Sequence, residues 1–385
     1  MTINLYNLVI LVGAIHGLLL AALLVIRKPN KSKNSNYTAS ILLALVLIFY
    51  TLPVMRVTLH DMGFYNVYTW PVFSIELLYG LGPSLYLYTK TLIHGDQPFS
   101  RHYFWHFTPV ILELMYYFSP LYFGVSDYLI TSPSSHYDVF WLLQQFGAIL
   151  SVLIYFLLSI KSLMRYSSWV KNNHSDLHQK NLDWIKKPII LYSLFFFLWF
   201  TLRAYDVLFY SDLMPLDNYY PLLFLLSFTT YWIGTKGYLR KQAIQVSYNE
   251  NLNSRVQTSS KNDDILQKTL LKNTVKDAQA FKQLSECMIK QKPYLINDLT
   301  LAELAEIVCI NSRALSKLIN ENAGTNFYDY INTYRLNEFK TRISQDQKSR
   351  ILDLAFDSGF NSKTTFNSIF KSHTGMTPSQ FRKSL

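Results

Sequence analysis

The order of apolar and polar positions divides this chain before any single residue is considered. Up to about residue 240, long apolar stretches recur at 5–26, 38–59, 70–93, 103–123, 139–163, 188–210 and 219–239. Each can cross a hydrocarbon core of about 30 Å as a helix, so the pattern predicts seven transmembrane helices in a domain spanning 1–240. Residues 241–275 lose the long apolar runs and are rich in Asn, Gln, Ser and Lys. Such a composition buries little and predicts a polar linker. Within it, Ile265, Leu266, Thr269 and Leu270 can line one face of a short helix. From 276 to 385 the pattern changes to short amphipathic helices, and the expected fold class is all-α throughout.

In this last region the spacing becomes informative residue by residue. Between 280 and 290, Phe281, Leu284, Met288 and Ile289 are expected on one packing face. The run 301–308 reads LAELAEIV, with Leu301, Leu304, Ala305 and Val308 inward and Cys309-Ile310 as a tight turn. Asn311 then offers an N-cap oxygen to a helix over 312–320. Leu315, Leu318 and Ile319 turn that helix to the core and leave Arg313, Ser316 and Lys317 outward.

The same plan returns about fifty residues later. A helix over 351–358 meets a Gly359-Phe360 turn, and Asn361 or Ser362 caps a helix over 363–373. Phe366, Ile369 and Phe370 point inward, and Lys363, Thr364, Asn367, Ser368 and Lys371 outward. A longer helix over 327–343 joins the two through Tyr330, Ile331, Tyr334, Leu336 and Phe339. Helix, brief turn and capped second helix is the helix-turn-helix plan, here expected twice, at about 299–321 and 350–373. In that plan the second helix enters the major groove of double-stranded DNA.

Charge adds an orientation. Residues 1–235 hold 14 Lys/Arg and 11 Asp/Glu, against 22 and 14 in 236–385. Between the apolar stretches the basic residues are confined to alternate loops. The first loop has Arg27, Lys28, Lys31 and Lys33, the third Lys90 and Arg101, and the fifth Lys161, Arg165, Lys171, Lys180, Lys186 and Lys187. Segments 2–4, 60–69, 124–138 and 211–218 carry no Lys or Arg. By the positive-inside rule the N-terminus lies outside and the C-terminal domain in the cytoplasm, so the expected location is the cytoplasmic (inner) membrane. With basic residues after the first stretch and none before it, that stretch is not expected to be a cleaved signal peptide. The overall excess of +11 suits phosphates of lipid or nucleic acid without choosing between them. Over 276–385 the excess is only +4, so local placement on helix faces matters more than bulk charge.

Candidate chemistry in the apolar region is sparse. Arg56, Glu76, Glu113, Arg203 and Asp206 fall within predicted spans, where each is costly unless paired or wet. Glu76, Arg203 and Asp206 are the first candidates for intramembrane sensing of a ligand or membrane partner, although pairing that only holds the bundle together explains them equally well. Arg203 and Asp206, three apart, can meet on one helix face. His102/His106 and His174/His178 have the spacing of a metal clamp, but no third ligand accompanies either pair. They read as interfacial or loop histidines, and neither metal nor cofactor is expected. Cys287 and Cys309 make neither a disulfide framework nor a zinc site. No phosphate-binding glycine loop and no Ser/His/Asp arrangement is present, so the chain does not read as an enzyme.

The run GFNSKTTFNSIFKSHTGMTPSQFRK at 359–383 resembles the signature of AraC-type transcription regulators through Gly359-Phe360, Phe366, Phe370, Gly375, Thr377-Pro378, Phe381 and Arg382, with Ala355 upstream. The stretch LTLAELAEIVCINSRALSKLIN, followed by Gly324, Phe327, Tyr330 and Arg335-Leu336, resembles that family's first unit. The likeness covers roughly the last hundred residues and leaves out the membrane region. It implies two recognition helices entering successive major grooves about one helical turn apart. Carried over by alignment, Arg313, Ser316 and Lys317 read one groove and Lys363, Thr364, Asn367 and Ser368 the next, with Lys371 near a phosphate. The resulting expectation is a one-component regulator whose membrane domain controls DNA binding, with pairing of two copies into a homodimer as one means of control. The rival readings are a transporter, or a membrane receptor, with a regulatory helical tail.

Overall fold

The structure is a computed structural model and describes residues 5–26, 34–63, 77–94, 100–117, 139–177, 180–210, 216–239 and 266–385. It is all-α. Among the described residues there is no β-strand, only one isolated antiparallel bridge between His174 and Thr300. The chain forms two compact units, one of Met1–Met164 with Leu182–Tyr248 and one of Arg165–Asn181 with Asn249–Leu385.

The helices of the first unit are α1 (Leu5–Ile26), α2 (Asn34–Asp61), α3 (Leu81–His94), α4 (Thr108–Tyr117), α5 (Val139–Asn173, whose last nine residues belong to the second unit), α6 (Asp183–Tyr205) and α7 (Tyr220–Leu239). A 3-10 turn, Leu78–Gly80, leads into α3, another, Arg101–Phe107, into α4, and a π turn, Asp206–Tyr210, follows α6. α1 packs on α2 and α7. A Cβ added at Gly234 of α7 would stand 2.6 Å from Leu20 Cδ1 of α1, so the glycine lets the Leu20 side chain pack directly on the α7 backbone.

The surface of this unit differs from that of a water-soluble bundle, and its largely apolar core also holds polar groups. Leu5, Val12, Leu19, Leu157, Phe197 and Phe228 are exposed, whereas Asn7, Thr51, Thr58, Ser84, Thr89, Gln144, Ser159 and Thr230 are buried. Several of the buried hydroxyls donate to a carbonyl one turn back, such as Ser84 Oγ to Gly80 O at 2.7 Å and Thr89 Oγ1 to Leu85 O at 2.9 Å. Hydrogen bonds made within the helix itself are what let polar groups stay in an apolar interior. Four segments are long and apolar enough to cross a membrane: Leu5–Ile26, Tyr37–Leu59, Leu143–Asn173 and Asp183–Tyr210. The expected third and fourth spans are described only as α3 and α4, of 14 and 10 residues, because 64–76, 95–99 and 118–138 lie outside the described residues, and the expected seventh, described as the 20-residue α7, is not among the four.

The second unit contains α8 (Leu266–Lys290), α9 (Leu301–Ile307), α10 (Ser312–Ala323), α11 (Phe327–Gln345), α12 (Ile351–Asp357), α13 (Lys363–Thr374) and α14 (Pro378–Lys383). α11 is its spine. The first half of α11 gives Phe327, Tyr330 and Ile331 to a core shared with Leu284, Met288, Leu304, Leu315 and Ile319. Its second half gives Leu336, Phe339 and Ile343 to another core with Ala355, Phe360, Phe366 and Phe370. The Phe339 ring sits 4.7 Å from that of Phe366 and 5.4 Å from that of Phe370. Each fully buried aromatic of this kind contributes roughly 1.5–3 kcal/mol. One expectation fails here: Ile289 is 67% exposed. It adjoins Met288, so the α8 face that buries Leu284 and Met288 turns it outward.

Candidate nucleic-acid interface

Two helix pairs present the outward side chains picked out by spacing. α9 opens with a reciprocal cap, in which Glu303 N donates to Thr300 Oγ1 at 3.2 Å and Thr300 N to Glu303 Oε2 at 2.8 Å. It ends in a tight turn where Cys309 takes a φ of 57° and Ile310 N reaches back to Ala305 O at 2.9 Å. Ala314 N then donates to Asn311 Oδ1 at 2.7 Å, which starts α10. Leu315, Leu318 and Ile319 are buried. Arg313 and Lys317 are therefore exposed, with Ser316 half-buried beside them. Lys317 lies 3.8 Å from Glu321 in an exposed pair, which holds the lysine by a few tenths of a kcal/mol at most.

The second pair repeats this construction with a glycine turn. α12 ends at Ser358, and Gly359 takes a φ of 91°. Ser362, not Asn361, caps α13, accepting from Thr365 N at 3.4 Å. Burial of Phe366, Ile369 and Phe370 leaves Lys363, Thr364, Asn367, Ser368 and Lys371 exposed on the opposite side. α14 follows with its own Thr377/Gln380 cap, and Arg382 Nη2 donates to Ser349 O at 2.7 Å. Both free helix faces thus offer guanidinium, ammonium, hydroxyl and amide groups, the side chains that reach base edges and phosphates.

Sequence reasoning missed a second feature of this unit. Ser175, from the segment after α5, is 1% exposed and packs where α9 and α11 meet. Its N–H donates to Leu299 O at 3.0 Å. Arg335 Nη1 donates to Ser175 O at 3.3 Å and Nη2 to Ser175 Oγ at 3.2 Å. Lys180 pairs with Asp298. Burial pulls the Arg335 guanidinium down to about 10, opposed by Asp176 and Asp298, so it stays charged at neutral pH. His174, beside Thr300, is lowered to about 4 by burial and by Lys180, against the pull of Asp298 and Glu303. No local periodicity announces these contacts, because the partners are more than 120 residues apart for Ser175 and 118 for Lys180.

In the first unit, Arg203 and Asp206 do meet. Arg203 Nη1 lies 2.8 Å from Asp206 Oδ2, and Tyr219 Oη donates to the same oxygen at 2.6 Å. Asp206 is 1% exposed. Glu113 accepts from Gln144 Nε2 at 2.9 Å, and Asp61 accepts from Asn7 Nδ2 at 2.6 Å and from Tyr220. Glu76 lies outside the described residues. Among the described residues no group of three His, Cys, Asp or Glu is placed to hold a metal. His106 Nδ1 instead shares a hydrogen bond with Tyr155 at 2.8 Å, and Cys287 and Cys309 are unbridged.

Residues 304–384 match the protein family described as "Helix-turn-helix domain". This C-terminal segment is a helix-turn-helix domain of the AraC type. The chain is 36% identical over 85 residues to an uncharacterized HTH-type transcriptional regulator of Staphylococcus aureus (strain COL), a match covering 22% of this chain and 11% of that protein. It is 34% identical over 85 residues to the melibiose operon regulatory protein of Escherichia coli (strain K12), covering 22% and 28%. The likeness therefore spans about a tenth of the first relative and under a third of the second. A protein of unknown function from Listeria innocua, of solved structure, shares 31% identity over 26% of this chain and 90% of its own, with a TM-score of 0.23.

Proposed function

We propose that this protein is a membrane-embedded, sequence-specific DNA-binding transcription regulator. Residues 1–240 form a seven-helix transmembrane domain with its N-terminus outside, 241–275 connect, and 276–385 read DNA from the cytoplasm through two helix-turn-helix units. Arg313, Ser316 and Lys317 of α10 face one major groove. Lys363, Thr364, Asn367 and Ser368 of α13 face the next, and Lys371 lies against a phosphate. The observation that carries this reading is the repeated construction inside the matched segment: a short helix, a tight turn and a capped helix with a free polar, partly basic face, twice on one spine. Membrane embedding draws support from the exposed apolar and buried polar side chains of the first unit, and from the alternation of basic loops. Arg203 and Asp206, with Tyr219, form a buried polar cluster through which a membrane signal could act, and Glu76 is retained as a candidate on its sequence position alone.

The test is genome-wide crosslinking and sequencing of DNA bound to the full-length protein in its native membrane. A few sharp sites sharing a bipartite motif, with halves about one helical turn apart, would establish the regulator and name its target genes. Stable expression with no enriched site under several growth conditions would count against it.

A further inference from the structure

We infer that His174, Ser175 and Lys180, after α5, form a latch that fixes the placement of the two DNA-reading helix pairs relative to each other, with Ser175 and Arg335 as its positioning residues. The inference rests on the DNA-binding reading above and adds how that binding is controlled. Arg335 is 1% exposed, and its planar fork gathers three parts of the second unit. Its Nε donates to Tyr294 O at 2.7 Å and its Nη2 to Ile296 O at 2.8 Å, in the stretch that leads into the first pair. Its Nη1 and Nη2 reach Ser175 O and Oγ. Close to the same Nε lies the turn of the second pair, where a Cβ at Gly359 would stand 3.0 Å from Arg335 Nε and against Tyr294 O. A guanidinium has a fixed fork geometry, so the Ser175 contact is transmitted to the entry of one pair and the turn of the other.

The segment is anchored at more than this point. His174 bridges Thr300, Ser175 N–H holds Leu299 O, Asn332 Nδ2 donates to Ser175 O at 3.4 Å, and Lys180 pairs with Asp298. None of these contacts covers the reading faces: Arg313, Lys317, Lys363, Asn367 and Lys371 stay exposed with the segment seated. The latch therefore does not block DNA. It sets the spacing at which two weak half-site contacts can be made together, and that spacing decides the avidity of a two-headed binder. Both ends of the segment run on directly into α5 and α6, the helices that the functional reading places in the bilayer.

The experiment uses the full chain in lipid nanodiscs. DNA is selected from a random pool, and affinity is measured for the selected bipartite duplex and for the same duplex with five base pairs inserted between its halves. Contact is read separately as disulfide yield between His174→Cys and Thr300→Cys in a Cys287→Ser, Cys309→Ser background. Lys180→Glu, which sets a like charge against Asp298 and Glu303, should lower the disulfide yield and reduce discrimination between the two duplexes at least fivefold. Adding Asp298→Lys should restore both. Ser175→Pro, which removes the N–H to Leu299 and the hydroxyl that Arg335 holds, should act as Lys180→Glu does. Unchanged discrimination alongside a lowered disulfide yield overturns the latch, as does absence of the disulfide in the otherwise unaltered chain. Efficient disulfide formation with no bipartite duplex selected would instead sink the DNA-binding reading, and the latch's role in DNA recognition with it.

Discussion

Gly359→Ala isolates the joint between the two helix pairs. Gly359 has a φ of 91°, and an added Cβ would collide with Tyr294 O while standing 3.0 Å from Arg335 Nε. The left-handed backbone alone disfavours alanine by about 1–2 kcal/mol. The collision is with main chain, which cannot swing aside as a side-chain tip can, and Tyr294 O also accepts from Arg335 Nε at 2.7 Å. Moving it strains that hydrogen bond, so overpacking adds about 1–2 kcal/mol more. The sum is about 2–4 kcal/mol. Gly375→Ala is the internal control, because Gly375 has a φ of 75° but nothing within 4 Å of its Cβ position. It should show only the backbone part. Amide hydrogen exchange on the full chain in nanodiscs reads the difference over Ile351–Asp357 and Lys363–Thr374. Gly359→Ala should speed exchange there by roughly thirtyfold to several hundredfold, and Gly375→Ala by about tenfold, since each 1.4 kcal/mol is a factor of ten. Equal effects from the two substitutions would refute the claim that the close approach to Tyr294 and Arg335 holds the second turn in place.

Other expectations concern DNA, capping and pH. Asn367→Ala should weaken the preferred site by about 1–3 kcal/mol and relax preference at one base position, whereas Lys371→Ala should weaken all sequences alike and lower the salt slope by about one; competition binding against variant and random duplexes separates the two. Asn311→Ala removes the acceptor for Ala314 N and should lose about 1 kcal/mol of helix stability, seen as faster exchange confined to the first turn of α10. His174 contributes in a fixed direction with pH. Its seated value of about 4 lies below the ordinary 6.5, so the unseated segment takes up a proton first. The contact is therefore strongest above about pH 6.5 and weakens as pH falls towards 4, by up to about 3 kcal/mol. The charged groups bearing on it are Lys180, Asp298 and Glu303. Hydrogen exchange around residues 299–303 should follow that window in the unaltered chain and lose its pH dependence in His174→Gln.

The local elements are legible in the order of residues, because helices are built from periodicity and caps that lie within a few residues of one another. α1 runs over Leu5–Ile26 as its apolar stretch predicts. Asn311 caps α10 as its position before Ser312 predicts. The inward triplets Leu315, Leu318, Ile319 and Phe366, Ile369, Phe370 follow from 3.6-residue spacing, and with them the outward faces proposed to read DNA. Ile289 shows the limit of this, since an apolar residue at the edge of a stripe can fall on either side until the neighbouring helix is in place. The other contacts arise only once distant segments pack together. Arg335 belongs in sequence to a family-like stretch, yet its partners Tyr294, Ile296 and Ser175 are brought together across 39 to 160 residues. Ser175 reads in sequence as an ordinary polar loop residue between basic positions. Its burial comes from a carbonyl and a hydroxyl that satisfy a guanidinium already withdrawn from water, and a buried charge must find its partners wherever the fold supplies them.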